Sequence, residues 1–527
     1  MSSVAARVTS RESLRRRLSP APIGTAPLLP RMSARARLAD RPGTWCLVIV
    51  VAGTLARLGQ VAHSVLGDHA FRQAQTAFTV RDYAAHGVDL LSSPVPVFGA
   101  HSNVLMEFPL FQALASLLVP WGLADSTATR LTGLLSFQAA GILWYLLLRR
   151  WHGPQLALLT LVMYEVTPFG LHWGASALID FFSVMLGFAM VLALDHWFTE
   201  RSVWGLAAGV LAAWALFLVK VTTVPTMGML LLLSAALFVQ RVGWRGAWRR
   251  VLSGLLLAPG TALVPLLAWT SYADSVKERS VFTEFLTSRA LFTWNFGTVA
   301  ERLDGPSLLT VGHRIGEEIT GLGMLTTLGV VLVTGWLGDR VVRTLIAGLL
   351  LAALAGPAVF FHLYVMHSYY LIALYPVLVT IAPLAMVTVG KALLATSWLR
   401  RTSQALVCVL LLAVMAFSSR GSGDVADLLF DLPPDPLAVA LGAETPAGAR
   451  IVMVGCDWNP QVLYAARRTG LMLRDQPSVA MWTGERIGRY AYLARCSPEV
   501  DPVPYLPAGY TVVTTRHPDV FAIRRTS

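Results

Sequence analysis

The chain has 527 residues, 55% hydrophobic and 14% charged, with a formal net charge of +12. Soluble domains carry about 25% charged residues, so this composition, with a mean hydropathy of +0.59, excludes an ordinary soluble protein and indicates an integral membrane protein. The positive balance would suggest nucleic acid in a soluble chain, but the arginines lie mostly between hydrophobic runs, where topology accounts for them; no nucleic-acid partner is expected.

Residues 1–42 hold nine arginines against two acidic residues and no long apolar run. They read as a disordered basic arm held on the cytoplasmic side, with Met32 as an alternative start. Hydrophobic spans follow at roughly 44–63, 127–148, 153–172, 176–197, 203–220, 222–240, 251–270, 320–338, 343–363, 370–390 and 403–418. Each is near the ~20 residues a bilayer requires, so about eleven transmembrane helices are expected across a domain spanning 43–419. With the N-terminus inside, the inner loops carry Arg149/Arg150, Arg201, Arg241/Arg245/Arg249/Arg250, Arg340/Arg343 and Lys391/Arg400/Arg401, as the positive-inside rule demands. The loops 64–126 and 271–319 and the C-terminal region then lie outside.

The first outer loop opens with GDHAFRQAQTAFTVRDYAAHG, residues 67–87. At 100° per residue Asp68, Arg72, Gln75 and Thr76 share one face and Phe71, Ala74, Ala77 and Phe78 the other. Asp68 is the expected N-cap and Gly87 the expected C′ stop. Taken alone, this stretch fits a surface helix with an Asp68–Arg72 ion pair slightly better than it fits an active site.

Ionisable residues inside spans are costly and usually functional. Arg57, Glu165, His172, Asp180, Lys220, His367, Tyr369 and Tyr370 all fall towards the outer ends of their helices, whereas Asp195 falls at an inner end. Snorkelling would suit Arg57 or Lys220 singly, but not the carboxylates, so a polar cavity opening outward is expected.

Residues 420–527 change character, from LPPDP to alternating charged and apolar segments. IVMVG reads as a strand, PQVLYAARRTG as a helix with a glycine stop, GERIGRYAYLARC as a further helix, and YTVVTT and VFAI as closing strands, giving a small α/β domain on the outer side. IVMVG followed by CDWNP lacks the glycine spacing of a phosphate loop. Cys46 and Cys408 lie in hydrophobic runs and read as packing residues, and there is no CxxC. If the outer side is oxidising, Cys456 and Cys496 can pair, a closure of ~3–4 kcal/mol in the chain-entropy model; two free buried thiols are the alternative.

A carboxylate beside several cations at headgroup level suits chemistry on a lipid-linked anion: the carboxylate takes a proton from an acceptor, and the cations neutralise a departing phosphate. Asp68-His69-x-x-Arg72-Gln73-Ala74-x-Thr76-Ala77, Glu107-Phe108-Pro109, and His367-x-Tyr369-Tyr370 with Pro376 resemble segments of the GT-C superfamily of membrane glycosyltransferases, as does Lys220 in LVKVTTVP. That group includes the protein O-mannosyltransferases and the aminoarabinose transferases and uses polyprenyl-phosphate sugars as donors. The resemblance implies transfer with inversion to a glycan, lipid or protein acceptor at the outer face of a bacterial-type plasma (inner) membrane. It implies Asp68 as catalytic carboxylate, Arg72, Lys220, His367 and Tyr370 at the donor phosphate, and His69, Gln73, Thr76, Glu107 and Asp180 in support. Many members carry two adjacent acidic residues where this chain has Asp68-His69. A two-carboxylate metal site is thereby in doubt, a His/Asp site completed by Glu107 or Asp180 stays open, and a divalent metal is possible without being required. The rival reading is a transporter or flippase of a lipid-linked sugar, which would place its charges near the bilayer midplane in two related halves. A second rival is a non-catalytic scaffold.

Overall fold

A computed structural model describes residues 41–99, 102–321, 323–394, 397–419, 433–473 and 486–526. Residues 1–40 of the basic arm, the start of the Pro-rich linker, the first two residues of GERIGRYAYLARC and the side chain of Cys408 lie outside the described set.

The protein is mainly helical, and each expected span contains a helix, but their lengths differ from expectation. Seven helices are long and apolar enough to cross a membrane, and eight if the bent pair Gly305–Ile319 and Met324–Leu337 is one span. Two of the other expected spans, Pro154–Val166 and Val203–Val219, are shorter apolar helices, so length and composition among the described residues support seven or eight of the eleven. The shortfall has local causes. The 153–172 run is interrupted after Val166, where Thr167 leaves helical geometry ahead of Pro168. The 203–220 run stops at Val219, because Lys220 takes an extended conformation. Helix α1 (Pro42–Val61) leaves Leu47, Leu55 and Leu58 exposed along one side, a continuous apolar face that water would not tolerate and lipid does. The interior is dominated by aromatic packing: Trp144 stacks on Phe188, and Phe137 on Tyr164, all buried.

Helix α2 (Ala70–His86) follows in the loop after α1. Its C-terminus is as expected, with Gly87 at φ 95° donating its N–H to the carbonyl of Tyr83. Its N-terminus is not. His69, with φ 49° and ψ 37°, occupies the capping position without a side-chain cap, and Asp68 stands one residue outside the helix.

The C-terminal residues form a five-stranded sheet of order β2-β1-β3-β5-β4, with β1 Arg450–Val454, β2 Thr469–Leu473, β3 Tyr492–Arg495, β4 Tyr510–Thr514 and β5 Val520–Arg525. β1 runs parallel to β2 and β3, and β5 is antiparallel to β3 and β4. Two helix expectations fail here. The helix from Gln461 ends at Ala465, and Gly470, read as its stop, lies inside β2 opposite Ile451. A Cβ there would sit 1.9 Å from the Ile451 carbonyl oxygen, so the pairing demands glycine. In the described part of GERIGRYAYLARC only a turn at Ile487–Arg489 is helical, and Tyr492–Arg495 is β3, drawn into the sheet by β1 on one side and β5 on the other. Cys456 and Cys496, at the ends of β1 and β3, are joined by a disulfide.

The sheet grips the segment between α2 and Met106. Gly470 and Met472 of β2 donate N–H groups to the carbonyls of Pro96 and Val97 at 3.0 and 2.8 Å, so that segment adds to the sheet edge. Phe71 and Phe78, on the apolar face of α2, make edge contacts with Trp458 and Tyr464. The apolar face of α2 is thus spent on the sheet, and its polar face turns inward towards the spans.

Candidate active site

Four elements converge on the polar face of α2. The loop before it brings Asp68 and His69. The Met106–Pro109 turn is held by Trp269 Nε1 donating to the Met106 carbonyl (3.2 Å) and by Phe108 N–H donating to Leu218 (3.0 Å). The break between helices Val203–Val219 and Val224–Val242 presents Lys220, and the turn from His367 presents His367, Tyr369 and Tyr370.

Asp68 does not pair with Arg72. Its Oδ2 lies 3.3 Å from Nε2 of His172, with the side chain 50% exposed. The His172 hydrogen bond is the main reason the carboxyl lies below its ordinary range, against a smaller upward push from burial. Arg72 instead donates to Glu107 Oε1 at 2.5 Å and to Gln75 Oε1 at 2.7 Å. Burial opposes ionisation of Glu107, but Arg72 and then Lys220 outweigh it and keep the carboxyl below its ordinary value. Lys220 Nζ sits 3.0 and 3.1 Å from the two oxygens of Asp180, both residues buried, and 5.1 Å from the ring centre of Tyr370. His69 Nε2 meets Ser368 Oγ at 3.0 Å, and its ring lies 4.9 Å edge-on to Tyr369 and 5.7 Å from His367. Burial holds His69 below its ordinary value and brings His367 down to about 4, with His69 and Arg72 nearby pushing the same way.

The structure therefore gathers Asp68, His69, Arg72, Glu107, Asp180, Lys220, His367 and Tyr370 around one locus. Gln73 and Thr76 serve the backbone instead. Gln73 donates to the Asp68 carbonyl (2.6 Å) and accepts from Ala177 N–H (2.9 Å), stapling the Asp68 loop to the residues before Asp180. The hydroxyl of Thr76 donates to the Arg72 carbonyl.

Arg57 and Glu165 do not join this group. They face each other at 2.9 Å, almost fully buried, with Arg57 also donating to the carbonyls of Gly53 and Glu165. Two glycines make the room: a Cβ on Gly53 would stand 2.0 Å from Glu165, and one on Gly174 2.5 Å from Arg57. The pair welds α1 to the helix Pro154–Val166, and both residues are buried away from the Asp68 group. Asp195 likewise belongs to a separate network, with Arg150, Trp151 and Ser234.

His172 is one of the ionisable groups expected at an outward cavity but not one of the site residues that the resemblance implies. The outward position of His172 in its span was its only signal, and nothing in the spacing linked it to Asp68. As to a metal, no three His, Cys, Asp or Glu side chains gather as a ligand set among the described residues. Glu107 and Asp180, the candidates to complete a His/Asp site, are engaged with Arg72 and Lys220, and His69 with Ser368.

No protein-family model and no curated protein sequence matches the chain. Solved structures do. ArnT from Cupriavidus metallidurans bound to undecaprenyl phosphate aligns with TM-score 0.58 at 15% identity, covering 91% of this chain and 97% of that one. The same protein in the apo state gives 0.55 at 14% identity over 91% and 98%. The archaeal oligosaccharyltransferase AglB from Archaeoglobus fulgidus, in complex with an inhibitory peptide and a dolichol-phosphate, gives 0.50 at 11% identity over 86% and 69%. The chain therefore shares its fold with these ArnT and AglB structures.

Proposed function

We propose that this protein is an integral membrane glycosyltransferase that moves a sugar from a polyprenyl-phosphate donor to an acceptor hydroxyl or amine, with inversion. The observation that carries the reading is the juxtaposition of a half-exposed, His172-oriented Asp68 carboxylate with the partly buried Arg72 and the buried Lys220. The fold adds support, since structural neighbours were solved with undecaprenyl phosphate and with dolichol-phosphate.

In this reading Asp68 takes the proton of the acceptor O–H as its oxygen bonds to the anomeric carbon. The bond from that carbon to the phosphate oxygen breaks, and its electron pair leaves with the polyprenyl phosphate. Arg72 and Lys220 stabilise the charge that grows on the leaving phosphate, loosening from Glu107 and Asp180 as they do so. His367 and Tyr370 flank the phosphate. The basic inner loops support an N-terminus in the cytoplasm and a C-terminal sheet outside it, in a bacterial-type inner membrane.

The test is sugar transfer from a polyprenyl-phosphate donor by Asp68→Asn and Asp68→Ala at matched membrane expression. A loss of about 100-fold or more is expected of a missing general base. Undiminished transfer in both variants removes Asp68 from the chemistry. Flux of the lipid-linked sugar across sealed vesicles with no covalent product replaces the enzyme with a transporter.

A further inference from the structure

The polar face of α2 continues beyond Arg72. Gln75 and Thr79, three and seven residues on, share its side, and with Arg72 they form one wall of a small pocket. Glu107, Gln112 and Ser93 stand on the other wall. Most of these groups are accounted for. Arg72 holds Glu107, and the Thr79 hydroxyl donates to the Pro94 carbonyl at 3.0 Å.

Gln112 is different. It is 8% exposed, and its side-chain oxygen has no hydrogen-bond partner among the described residues. A buried acceptor left in that condition costs on the order of 1–3 kcal/mol. Across the pocket, the amide nitrogen of Gln75 points at the thioether of Met106 (3.3 Å), a weak acceptor. The pocket thus holds an unfilled acceptor and a poorly used donor, beside the cation expected at the donor phosphate. The space is about that of one water-sized group, too small for a sugar ring. A single hydroxyl both donates and accepts, and so answers Gln112 and Gln75 together.

We infer that this pocket receives one exocyclic hydroxyl of the transferred sugar, and that Gln112 and Gln75 read it. The inference rests on the glycosyltransferase reading and deepens it, making these two amides the determinants of donor selectivity. A site built around a hydrogen bond to a hydroxyl rejects the analogue that lacks it, because its own polar groups are then left unpaired.

The experiment measures kcat/KM for undecaprenyl-phosphate glucose, mannose, galactose and arabinose, and for the monodeoxy forms of whichever is transferred best. The wild-type protein is expected to lose at least about tenfold on one deoxy analogue. Gln112→Leu and Gln75→Leu should each narrow that ratio to about twofold, mainly by losing activity on the full sugar. Gln112→Leu should melt no lower than wild type, since the oxygen removed has no protein partner; Gln112→Met serves if the leucine variant does not fold. An unchanged ratio in both variants overturns the inference while transfer itself stands, the pocket then holding a resident water. A clear drop in melting temperature for Gln112→Leu and Gln112→Met alike also overturns it, by making the oxygen structural. If the wild type transfers none of these sugars, the glycosyltransferase reading falls and the inference with it.

Discussion

Lys220 reaches both carboxylate oxygens of Asp180, from the residue where one apolar helix stops to the residue where another begins. Both partners are buried. A pair in that setting is fragile to the loss of either member, because the survivor is an uncompensated charge.

Lys220→Ala is therefore expected to cost about 3–5 kcal/mol of stability and to weaken donor use. The double change Asp180→Leu with Lys220→Met should recover most of the stability and none of the donor use. Melting in detergent alongside donor KM separates the two effects. Stability recovered together with donor affinity would take Lys220 away from the phosphate.

His172 orients Asp68 through the 3.3 Å contact and lowers its pKa. In His172→Phe the Asp68 carboxyl should rise towards its ordinary 3.8, so the acid limb of the pH–rate profile moves to higher pH while the alkaline side stays in place. A drop in rate with an unshifted acid limb would leave His172 a merely structural neighbour.

His367 gives a pH dependence of stability. Its pKa falls from 6.5 to about 4 on folding, mainly by burial, so between those values the unfolded chain binds more protons than the folded one. Stability is then intact above 6.5 and declines as pH falls towards 4. His367→Gln should flatten that decline in thermal melts. An equally steep decline in the variant would assign it to other groups, His69 first, since it too is held down by burial.

The Cys456–Cys496 bridge closes a separation of 40 residues between the ends of β1 and β3. Cys456→Ser with Cys496→Ser should destabilise the sheet by ~3–4 kcal/mol in the chain-entropy model. Mass spectrometry of the denatured chain alkylated with and without reductant should show two further modified cysteines after reduction. Equal labelling in both samples would mean that the thiols are free in the native protein.

Much of this was legible in the chain because it depends on short-range pattern. The two faces of α2, its glycine stop and the closing strands all follow from spacing and composition, whereas the pairing of Cys456 with Cys496 was left open and is settled by their distance. Asp180 and Lys220 stood out as charges in apolar runs, though that they pair with each other did not. The misses are non-local. Asp68 looked like a cap and a partner for Arg72 because i,i+4 spacing permits it, yet His69 takes the left-handed turn and Glu107, from another segment, claims the guanidinium. The segment that became β3 has helical composition, and only pairing with β1 and β5 made it a strand. Arg57 and Glu165 looked functional for the same reason Lys220 did, and proximity alone separates a buried weld from a site.

The edge of β2 bonded to Pro96 and Val97 has a consequence for biogenesis. α2, an early helix, depends for its apolar face on Trp458 and Tyr464, which emerge near the end of synthesis. A chain released early, or clipped before β1, lacks Trp458 and Tyr464 and leaves Phe71 and Phe78 bare. On the glycosyltransferase reading, sugar transfer by a chain cut before β1 is expected to be lost.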